Sequence, residues 1–324
     1  MLCGTGFFGK LPIHQDFIQV NAAFPEVQQL DQWFQEGIQL MKRRADMKWP
    51  EDFEQGEPWE FLYSPPGAQR SLVGLYSPSR DGGGRHYPFL VFRWIDRTSY
   101  AWPLMLIPVA VAEFLVTART FAKSDLAALT MPQLRDRIAE MPVGVADLEG
   151  SRNNYHNFLQ TKTSRGFWAD LFGDFESTRK YLFYRNLLRA LEPLRRHGEA
   201  QRSPGLMFPL LAFEKTENYD IALWVDLMQR LLKQEIPGAV CFWRREVRLD
   251  EPSLFFHVAM PSPKAFSYLV RPDLDMDGRF DLAPKTDEPL ERVLLRVGHS
   301  RRKLLERPEL PLSLFLDVAG SLEG

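Results

Sequence analysis

The sequence predicts an α/β protein in which helices cover a sheet. Short segments rich in β-branched and aromatic residues alternate along the chain with segments whose apolar residues recur every three or four positions. The chain has 324 residues, of which 45% are apolar, enough for one large domain or two ordinary ones. Strands mixed with helices over the whole length are typical of a sheet with helices packed on it.

The first hundred residues predict one helix followed by three strands. Apolar residues at helical spacing predict a helix over 25–44, which begins at Pro25 and ends in basic residues that complement the helix dipole. Strand signals follow in WEFLY, SLVGLYS and YPFLVFRW, at residues 59–63, 71–77 and 87–94. The glycine-rich segment PSRDGGGRH separates the last two, so we expect it to close a hairpin.

The rest of the chain predicts a helical stretch and then a return to alternating elements. Residues 108–122 predict a buried helix, and the stretch from 123 to about 200 is mainly helical. We expect later strands at 206–213, 238–244 and 253–260, later helices at 219–233 and 262–270, and a helix in EPLERVLLRV. The predicted organisation is one α/β domain at 1–275, with a helical insertion at about 123–200 and a C-terminal extension at 276–324.

Composition argues against several classes of protein. The formal net charge of −2 gives no general case for nucleic acid or an anionic membrane as a partner. The two cysteines, Cys3 and Cys241, do not suggest a disulfide framework. No run approaches the roughly 18 apolar residues of a membrane span, and no signal peptide is visible. We therefore expect a cytoplasmic protein without membrane insertion.

The opening sequence MLCGTGFFGKLPIHQDF contains two overlapping nucleotide-binding patterns. Gly4, Gly6 and Gly9 spell a dinucleotide fingerprint, and Gly9 and Lys10 complete most of a Walker A loop. A dinucleotide site needs a strand before its glycines and a helix that starts within them. Only three residues precede Gly4, and Pro12 would stop such a helix at once.

The Walker A interpretation fails at its last position. A Walker A loop needs Ser or Thr after its lysine to hold magnesium, and this chain has Leu11 there. Phe7 and Phe8 place large apolar groups where backbone should face phosphate. We therefore expect an extended strand or turn with buried phenylalanines, and no nucleotide cofactor.

The sequence contains no convincing metal site. None of the six histidines lies three to five residues from another His or a Cys, as zinc ligands often do. They are His14, His86, His156, His197, His257 and His299. In DLDMDGRFD, Asp273, Asp275, Asp277 and Gly278 match the first half of a calcium loop. Because Pro284 occupies the position of the bidentate carboxylate, we expect an ordinary surface turn.

Three polar residues beside apolar stretches, Asp16, Arg85 and His86, could form an active site. The structural interpretation is that an Asp–Arg set ties loops together by charge-assisted hydrogen bonds. On that interpretation Asp16 and Arg85 lie close together or bond nearby backbone, and loss of Asp16 destabilises a buried pair. The sequence has no G-x-S-x-G nucleophile motif.

The sequence GFFGKLPIHQDFI resembles the start of the TagF family, proteins associated with bacterial type VI secretion. The residues that carry this likeness are Phe7, Phe8, Gly9, Lys10, Leu11, Pro12, Asp16 and Phe17. The resemblance continues in order through LDQWFQEGI, PWEFLYSP and GRHYPFLV, at Trp33, Trp59, Phe61, Gly84, Arg85, Tyr87 and Pro88. It also includes FWRRE and MPSPKAFSYLV farther along the chain.

The resemblance implies a three-layer α/β/α fold with a mixed sheet and a non-enzymatic cytoplasmic protein. It further implies a post-translational regulator, usually a repressor, that acts through the forkhead-associated scaffold protein of the secretion system. Two alternatives stay open at this point. One is a small-molecule hydrolase or other enzyme that uses Asp16, Arg85 and His86, and the other is a purely structural assembly component.

Overall fold

In the computed structural model, a mixed sheet of nine strands runs through the described residues. These residues are 3–44, 48–98, 102–141, 148–197, 204–212, 217–245, 251–273, 278–286 and 288–322. The strands are β1 (Cys3–Gly9), β2 (Ile18–Val20), β3 (Trp59–Ser64), β4 (Arg70–Ser77), β5 (Phe89–Asp96), β6 (Gly205–Pro209), β7 (Ala239–Arg244), β8 (Ser253–His257) and β9 (Arg279–Asp281). Their order across the sheet is β2-β1-β5-β4-β3-β7-β8-β6-β9.

The sheet is almost entirely antiparallel. Strands β3, β4 and β5 form a meander, and β7 joins it by pairing with β3. The one parallel pair among the described strands is β6 with β9. The prediction of an α/β protein with a mixed sheet is therefore confirmed.

Helices of very different length connect these strands. The first group is α1 (Pro25–Lys42), α2 (Glu51–Glu54), α3 (Ile107–Ala110), α4 (Ala112–Ala122), α5 (Met131–Ala139), α6 (Leu148–Thr161), α7 (Ser164–Phe172) and α8 (Arg179–His197). The second group is α9 (Tyr219–Leu232), α10 (Phe266–Val270), α11 (Leu290–Leu295), α12 (His299–Leu305) and α13 (Leu312–Ser321). Short 3₁₀ helices are formed by Leu104–Leu106, Leu126–Ala128 and Pro263–Ala265.

Alternation along the central strands places one core on each face of the sheet. In β4, Leu72 and Tyr76 contribute to one core, whereas Val73 and Leu75 contribute to the other. This is the two-residue period of a strand that is buried on both sides. Helices α1 and α10 cover the first face, and helices that include α4 and α9 cover the second. We call these the α1 face and the α9 face, and with the sheet they form three layers.

The α1 face is dominated by aromatic side chains. Trp33 stacks on Phe242 with ring centroids 5.5 Å apart, and Phe34 stacks on Tyr76 at 5.6 Å. Phe266 of α10 meets Phe34 edge to face at 5.5 Å. Offset and edge-to-face geometries are those that aromatic pairs prefer, so they fix α1 and α10 against the sheet.

The helical stretch predicted at 123–200 is confirmed within its described part, which contains α5 to α8. The predicted helix over residues 288–297 is also present, as α11. The segment after 276 contributes more than this helix, because β9 pairs with β6 and α13 packs against α9. The division of the chain at residue 275 stays a prediction.

Within the described residues, no single helix is both long enough and apolar enough to cross a membrane. The segments Leu104–Ala110 and Ala112–Ala122 meet that test of length and composition only as a pair, and they bend by 56° at their junction. Their residues Leu106, Phe114 and Leu115 are buried in the core of the α9 face.

Candidate functional site

Strand β1 carries the first part of the motif, and its two phenylalanines lie on opposite faces of the sheet. Phe7 belongs to the core of the α9 face, whereas Phe8 belongs to the core of the α1 face. Both are buried, with exposures of 0% and 9%. The prediction of an extended segment with buried phenylalanines is confirmed, since residues 3–9 form a strand rather than the start of a helix.

Gly9 is required by the close approach of two strands. Its φ of +133° lies in a region that other residues rarely adopt. A Cβ at this position would lie 2.1 Å from the carbonyl oxygen of Pro88, which is far inside van der Waals contact. At this position of the pattern, glycine is therefore needed because the neighbouring backbone at Pro88 leaves no room for a side chain.

Lys10 follows Gly9 and forms a buried ion pair with Asp81. Its Nζ lies 2.9 Å from Oδ2 of Asp81, and their side chains are 8% and 0% exposed. Arg85 Nε donates to the same oxygen at 2.7 Å. The other oxygen, Oδ1, accepts the backbone N–H groups of Gly83 and Arg85 at 3.0 and 2.9 Å.

These bonds make Asp81 the centre of the glycine-rich loop. Burial alone would raise the pKa of Asp81, but the hydrogen bonds from Lys10 and Arg85 outweigh it and hold the pKa well below its usual range. The carboxylate is therefore ionised at neutral pH. It ties the loop between β4 and β5 to the end of β1.

Three aromatic rings pack beside this ion pair, and its ammonium group also contacts one of them. Phe17 stacks on Phe8 with centroids 5.5 Å apart and meets Tyr87 edge to face at 4.9 Å. Lys10 Nζ lies 4.9 Å from the centroid of Phe17. We call the set formed by Phe8, Lys10, Phe17, Asp81, Arg85 and Tyr87 the motif corner. Phe17 is 40% exposed, so its ring presents an aromatic surface to solvent.

Tyr87 links the motif corner to α1. Its hydroxyl donates to the carboxylate of Asp31 and, at 3.2 Å, to the backbone carbonyl of the same residue. Burial and the Asp31 carboxylate raise the pKa of Tyr87 far above neutral pH, so the phenol stays protonated and remains a donor. The first helix and the loop before β5 are thus held together by a side chain from the motif.

The expected Asp16–Arg85 partnership is only partly confirmed. Asp16 is exposed, and its Oδ1 accepts the backbone N–H of Phe17 at 2.9 Å. Arg85 donates to the backbone carbonyl of Gln15. Both side chains therefore bond backbone of the same loop, as predicted, but the acidic partner of Arg85 is Asp81. The expectation that Asp16 belongs to a buried pair is wrong, because an acidic side chain in the following glycine loop takes that place.

His86, the third residue of the enzyme alternative, has separate partners. Its Nε2 lies 2.8 Å from Oε1 of Glu54, and its ring meets Trp49 and Phe53 edge to face at 5.9 and 6.2 Å. Hydrogen bonding to His86 lowers the pKa of Glu54. The side chains of Asp16, Arg85 and His86 therefore share no hydrogen-bond partner among the described residues.

The remaining motif residues belong to the core and to turns. Trp59 Nε1 donates to Leu269 O at 2.9 Å, which joins β3 to α10. Phe61 is buried beside Phe242, with ring centroids 6.4 Å apart. Gly84 has a φ of +80° in the turn that Asp81 organises.

Trp33, Pro12 and Pro88 complete the set of motif residues. Trp33 Nε1 donates to Pro261 O at 2.9 Å, which joins α1 to the segment before α10. Pro12 lies in the exposed turn after β1. Pro88 contributes the carbonyl oxygen that accepts the backbone N–H of Lys10 at 3.3 Å. These residues therefore position elements around the motif corner.

The acidic turn predicted at 273–281 falls partly outside the described residues. Asp275 and Asp277 lie in the segment that the structure does not describe. Asp273 forms a two-bond pair with Arg271, at 2.8 and 2.7 Å. Among the described residues, no group of three His, Cys, Asp or Glu side chains is arranged to hold a metal ion.

Sequence reasoning missed Asp81, the residue on which the corner depends. A local signal was present, because Asp before a run of glycines favours a turn in which the carboxylate accepts following backbone N–H groups. The arginine four residues later strengthens that signal. The partnership with Lys10 joins residues 71 positions apart, and no local pattern encodes it.

The part of the chain that contains the motif corner matches a known protein family. Residues 6–141 match the TagF N-terminal domain, described as Type VI secretion system-associated. The chain therefore carries a TagF N-terminal domain. Every residue of the motif corner lies within this TagF domain, as do α1 and strands β2 to β5.

The fold extends beyond the TagF domain. The crystal structure of PA0076 from Pseudomonas aeruginosa PAO1 superimposes with a TM-score of 0.51 and 16% sequence identity. The match covers 87% of this chain and 100% of that protein. At this identity the likeness concerns the fold alone. No curated protein matches the sequence at a significant level.

Proposed function

We propose that the protein is an accessory protein of a type VI secretion system that acts by binding another component of the apparatus. The observation that carries this proposal is the TagF N-terminal domain at residues 6–141, which is Type VI secretion system-associated. The resemblance to TagF further supports a post-translational regulator of the repressor type. On this proposal the protein works in the cytoplasm, and its partner is the forkhead-associated scaffold protein.

The motif corner supports binding rather than catalysis. The charged groups of Lys10, Asp81 and Arg85 bond one another or nearby backbone, which suits a corner whose task is to hold loops in place. The exposed ring of Phe17 lies on top of this arrangement. Aromatic side chains are enriched in the centres of protein interfaces. We propose that Phe17 contributes to the surface that meets the partner.

Whether the protein represses or activates type VI secretion is tested in the bacterium that encodes it. An in-frame deletion is combined with a measurement of type VI protein in the culture supernatant. A repressor predicts that secretion rises in the deletion strain and returns to its original level on complementation with the unaltered gene. Unchanged secretion in the deletion strain would contradict the proposed function.

The role of the motif corner is tested in the same strain. Complementation with Phe17→Ala should fail to restore the original secretion level. The matched control is Leu314→Ala, which shortens another exposed apolar side chain, 50% exposed on α13. Both variants should accumulate to the level of the unaltered protein. Full complementation by Phe17→Ala would show that the motif corner is not part of the binding surface. The role in secretion would then depend on the result of the deletion alone.

A further inference from the structure

Strand β9 forms one end of the sheet, and its outer edge has no partner strand among the described residues. The strand contains Arg279, Phe280 and Asp281, and it pairs in parallel with β6 on its inner side. Open edges of this kind attract another strand, so proteins usually cap or blunt them. At the opposite end of the sheet, the side-chain amide of Asn21 caps Thr5 O at 2.8 Å, on the part of β1 that β2 does not cover. No such cap protects β9 in the part of the chain that the structure describes.

The backbone groups along this outer edge belong to Arg279 and Asp281. On the inner side, Gly278 O and Leu282 N–H both bond β6, at 2.7 and 3.1 Å. In an extended strand the N–H and C=O of one residue point to the same side, and those of the next residue point to the other side. Since Gly278 and Leu282 bond β6, the N–H and C=O groups of Arg279 and Asp281 point away from it. These groups have no hydrogen-bond partner among the described residues.

Arg279 and Asp281 place opposite charges on one face of β9, two positions apart. The guanidinium of Arg279 lies over the ring of Tyr268, 5.2 Å from its centroid, and Nη1 donates to Pro272 O at 3.1 Å. Asp281 is exposed, and its Oδ1 accepts the N–H of Ala283 at 2.9 Å. Neither side chain forms an ion pair with a described residue. Both charges therefore remain available to a partner at the outer edge.

A second copy of β9 complements this edge when the two strands run antiparallel. With a two-fold axis at Phe280, Arg279 of each copy lies opposite Asp281 of the other. These are the residues whose backbone groups point outward, so each opposed pair exchanges N–H···O=C bonds in both directions. The same pairs set opposite charges directly across from each other, which stabilises paired strands, whereas like charges there are destabilising. The two Phe280 residues then form the close pair without hydrogen bonds that alternates with them.

We infer that the protein forms a two-fold symmetric dimer in which the β9 strands of two copies pair and join their sheets. A self-complementary surface that meets itself across a two-fold axis is the usual interface of a homodimer. Strand addition at the edge supplies main-chain hydrogen bonds, and the opposed charges of Arg279 and Asp281 set the register. This inference goes beyond the proposed function, because it assigns an interface between copies of the chain and does not depend on the process in which the protein works.

The test is the sedimentation velocity of the purified full chain at concentrations from about 1 µM to about 200 µM. The unaltered protein should form a dimer within this range. Asp281→Arg sets arginine opposite arginine in both pairs, and Arg279→Asp sets aspartate opposite aspartate. Either change alone should raise the dissociation constant of the dimer at least about tenfold. The matched control, Glu113→Arg, makes the same change in net charge at an exposed position on α4 and should leave association unchanged.

Mixing the two variants separates loss of the interface from loss of folding. In a mixed pair, the arginines of Asp281→Arg lie opposite the aspartates of Arg279→Asp, so an equimolar mixture should associate although neither variant does so alone. The double variant that carries both changes should dimerise with itself, because opposite charges again face each other. An unaltered protein that stays monomeric over the whole range, or a dimer that persists in both single variants, would overturn the inference. Failure of both the mixture and the double variant to associate would overturn it as well.

Discussion

Lys10 and Asp81, which are 71 positions apart in the chain, form a buried ion pair with 2.9 Å between Nζ and Oδ2. The pair joins the end of β1 to the glycine-rich loop, and Arg85 closes it from the solvent side. Its surroundings include Phe8, Phe17 and Tyr87, which lie on one side of the sheet. This corner is the part of the TagF motif in which charge, aromatic packing and glycine geometry depend on one another.

Asp81→Asn should destabilise the protein strongly. Loss of the charge leaves Lys10 buried without its counterion, and breaking such a pair costs about 3–5 kcal/mol. The free energy of unfolding is measured by urea denaturation. Asp16→Asn is the matched control, because this carboxylate is exposed and should cost less than about 0.5 kcal/mol. Equal effects of the two changes would show that Asp81 does not anchor the corner.

Gly9→Ala should be more damaging than Gly84→Ala, although both glycines have positive φ. At Gly9 the new Cβ would lie 2.1 Å from Pro88 O, so the strands must move apart. At Gly84 no atom of the described residues lies within 4 Å of the new Cβ, and only the left-handed conformation is penalised, by about 1–2 kcal/mol. Thermal unfolding compares the two variants. A Gly9→Ala melting temperature at or above that of Gly84→Ala would refute the packing argument.

The stability of the protein should fall in acid partly because of His257. Burial lowers the pKa of His257 to about 3, below the value of about 6.5 in an unfolded chain. Between these values the unfolded state binds a proton that the folded state does not, so stability rises with pH across this window. The slope contributed by this group is roughly 1.4 kcal/mol per pH unit at its steepest.

The contribution of His257 to the loss of stability in acid is measured by comparing the unaltered protein with His257→Gln. Both are unfolded with urea from pH 4 to pH 7. The difference in unfolding free energy should grow with pH in favour of the unaltered protein. Asp81 does not interfere over most of this range, since its lowered pKa affects stability only as pH falls through about 4, the unfolded value. Parallel pH profiles for the two proteins would mean that the pKa of His257 is the same in the folded and unfolded states, which would contradict the lowered value.

ATP and NAD should not bind at the glycine pattern. Residues 3–9 form a strand, and Lys10 is engaged by Asp81 rather than directed at a phosphate. Isothermal titration of the purified protein with each nucleotide, at concentrations up to about 1 mM, should give no binding isotherm. Micromolar binding that is lost in Lys10→Ala would contradict this prediction.

The elements with a clear local period could be predicted from the sequence. Helix α1 and strands β3 and β4 lie within one or two residues of their predicted bounds, because one-sided helical periodicity and dense β-formers are local signals. Helix α13 was overlooked in the Leu- and Pro-rich end of the chain. Its buried residues do follow a helical spacing, at Leu312, Phe315, Leu316 and Ala319. Pro311 lies immediately before them, and a proline there can be mistaken for the end of a helix.

The partners of the polar motif residues could not be predicted in the same way. Asp16 is adjacent to a motif aromatic and was expected to be buried, yet the chain turns so that its side chain faces solvent. Asp81 is buried because the glycine loop folds back onto β1, a contact that depends on the order of strands in the sheet. Tertiary arrangement, rather than local residue type, decides which of two nearby carboxylates is desolvated.

Binding to the secretion apparatus is measured with the purified protein and the purified forkhead-associated scaffold from the same bacterium. Size-exclusion chromatography with light scattering, followed by isothermal titration, reports whether a complex forms and how tightly. We expect a complex of defined stoichiometry that Phe17→Ala weakens and Leu314→Ala leaves unchanged. No complex at micromolar concentrations, with both proteins folded and the scaffold tested with and without threonine phosphorylation, would contradict it.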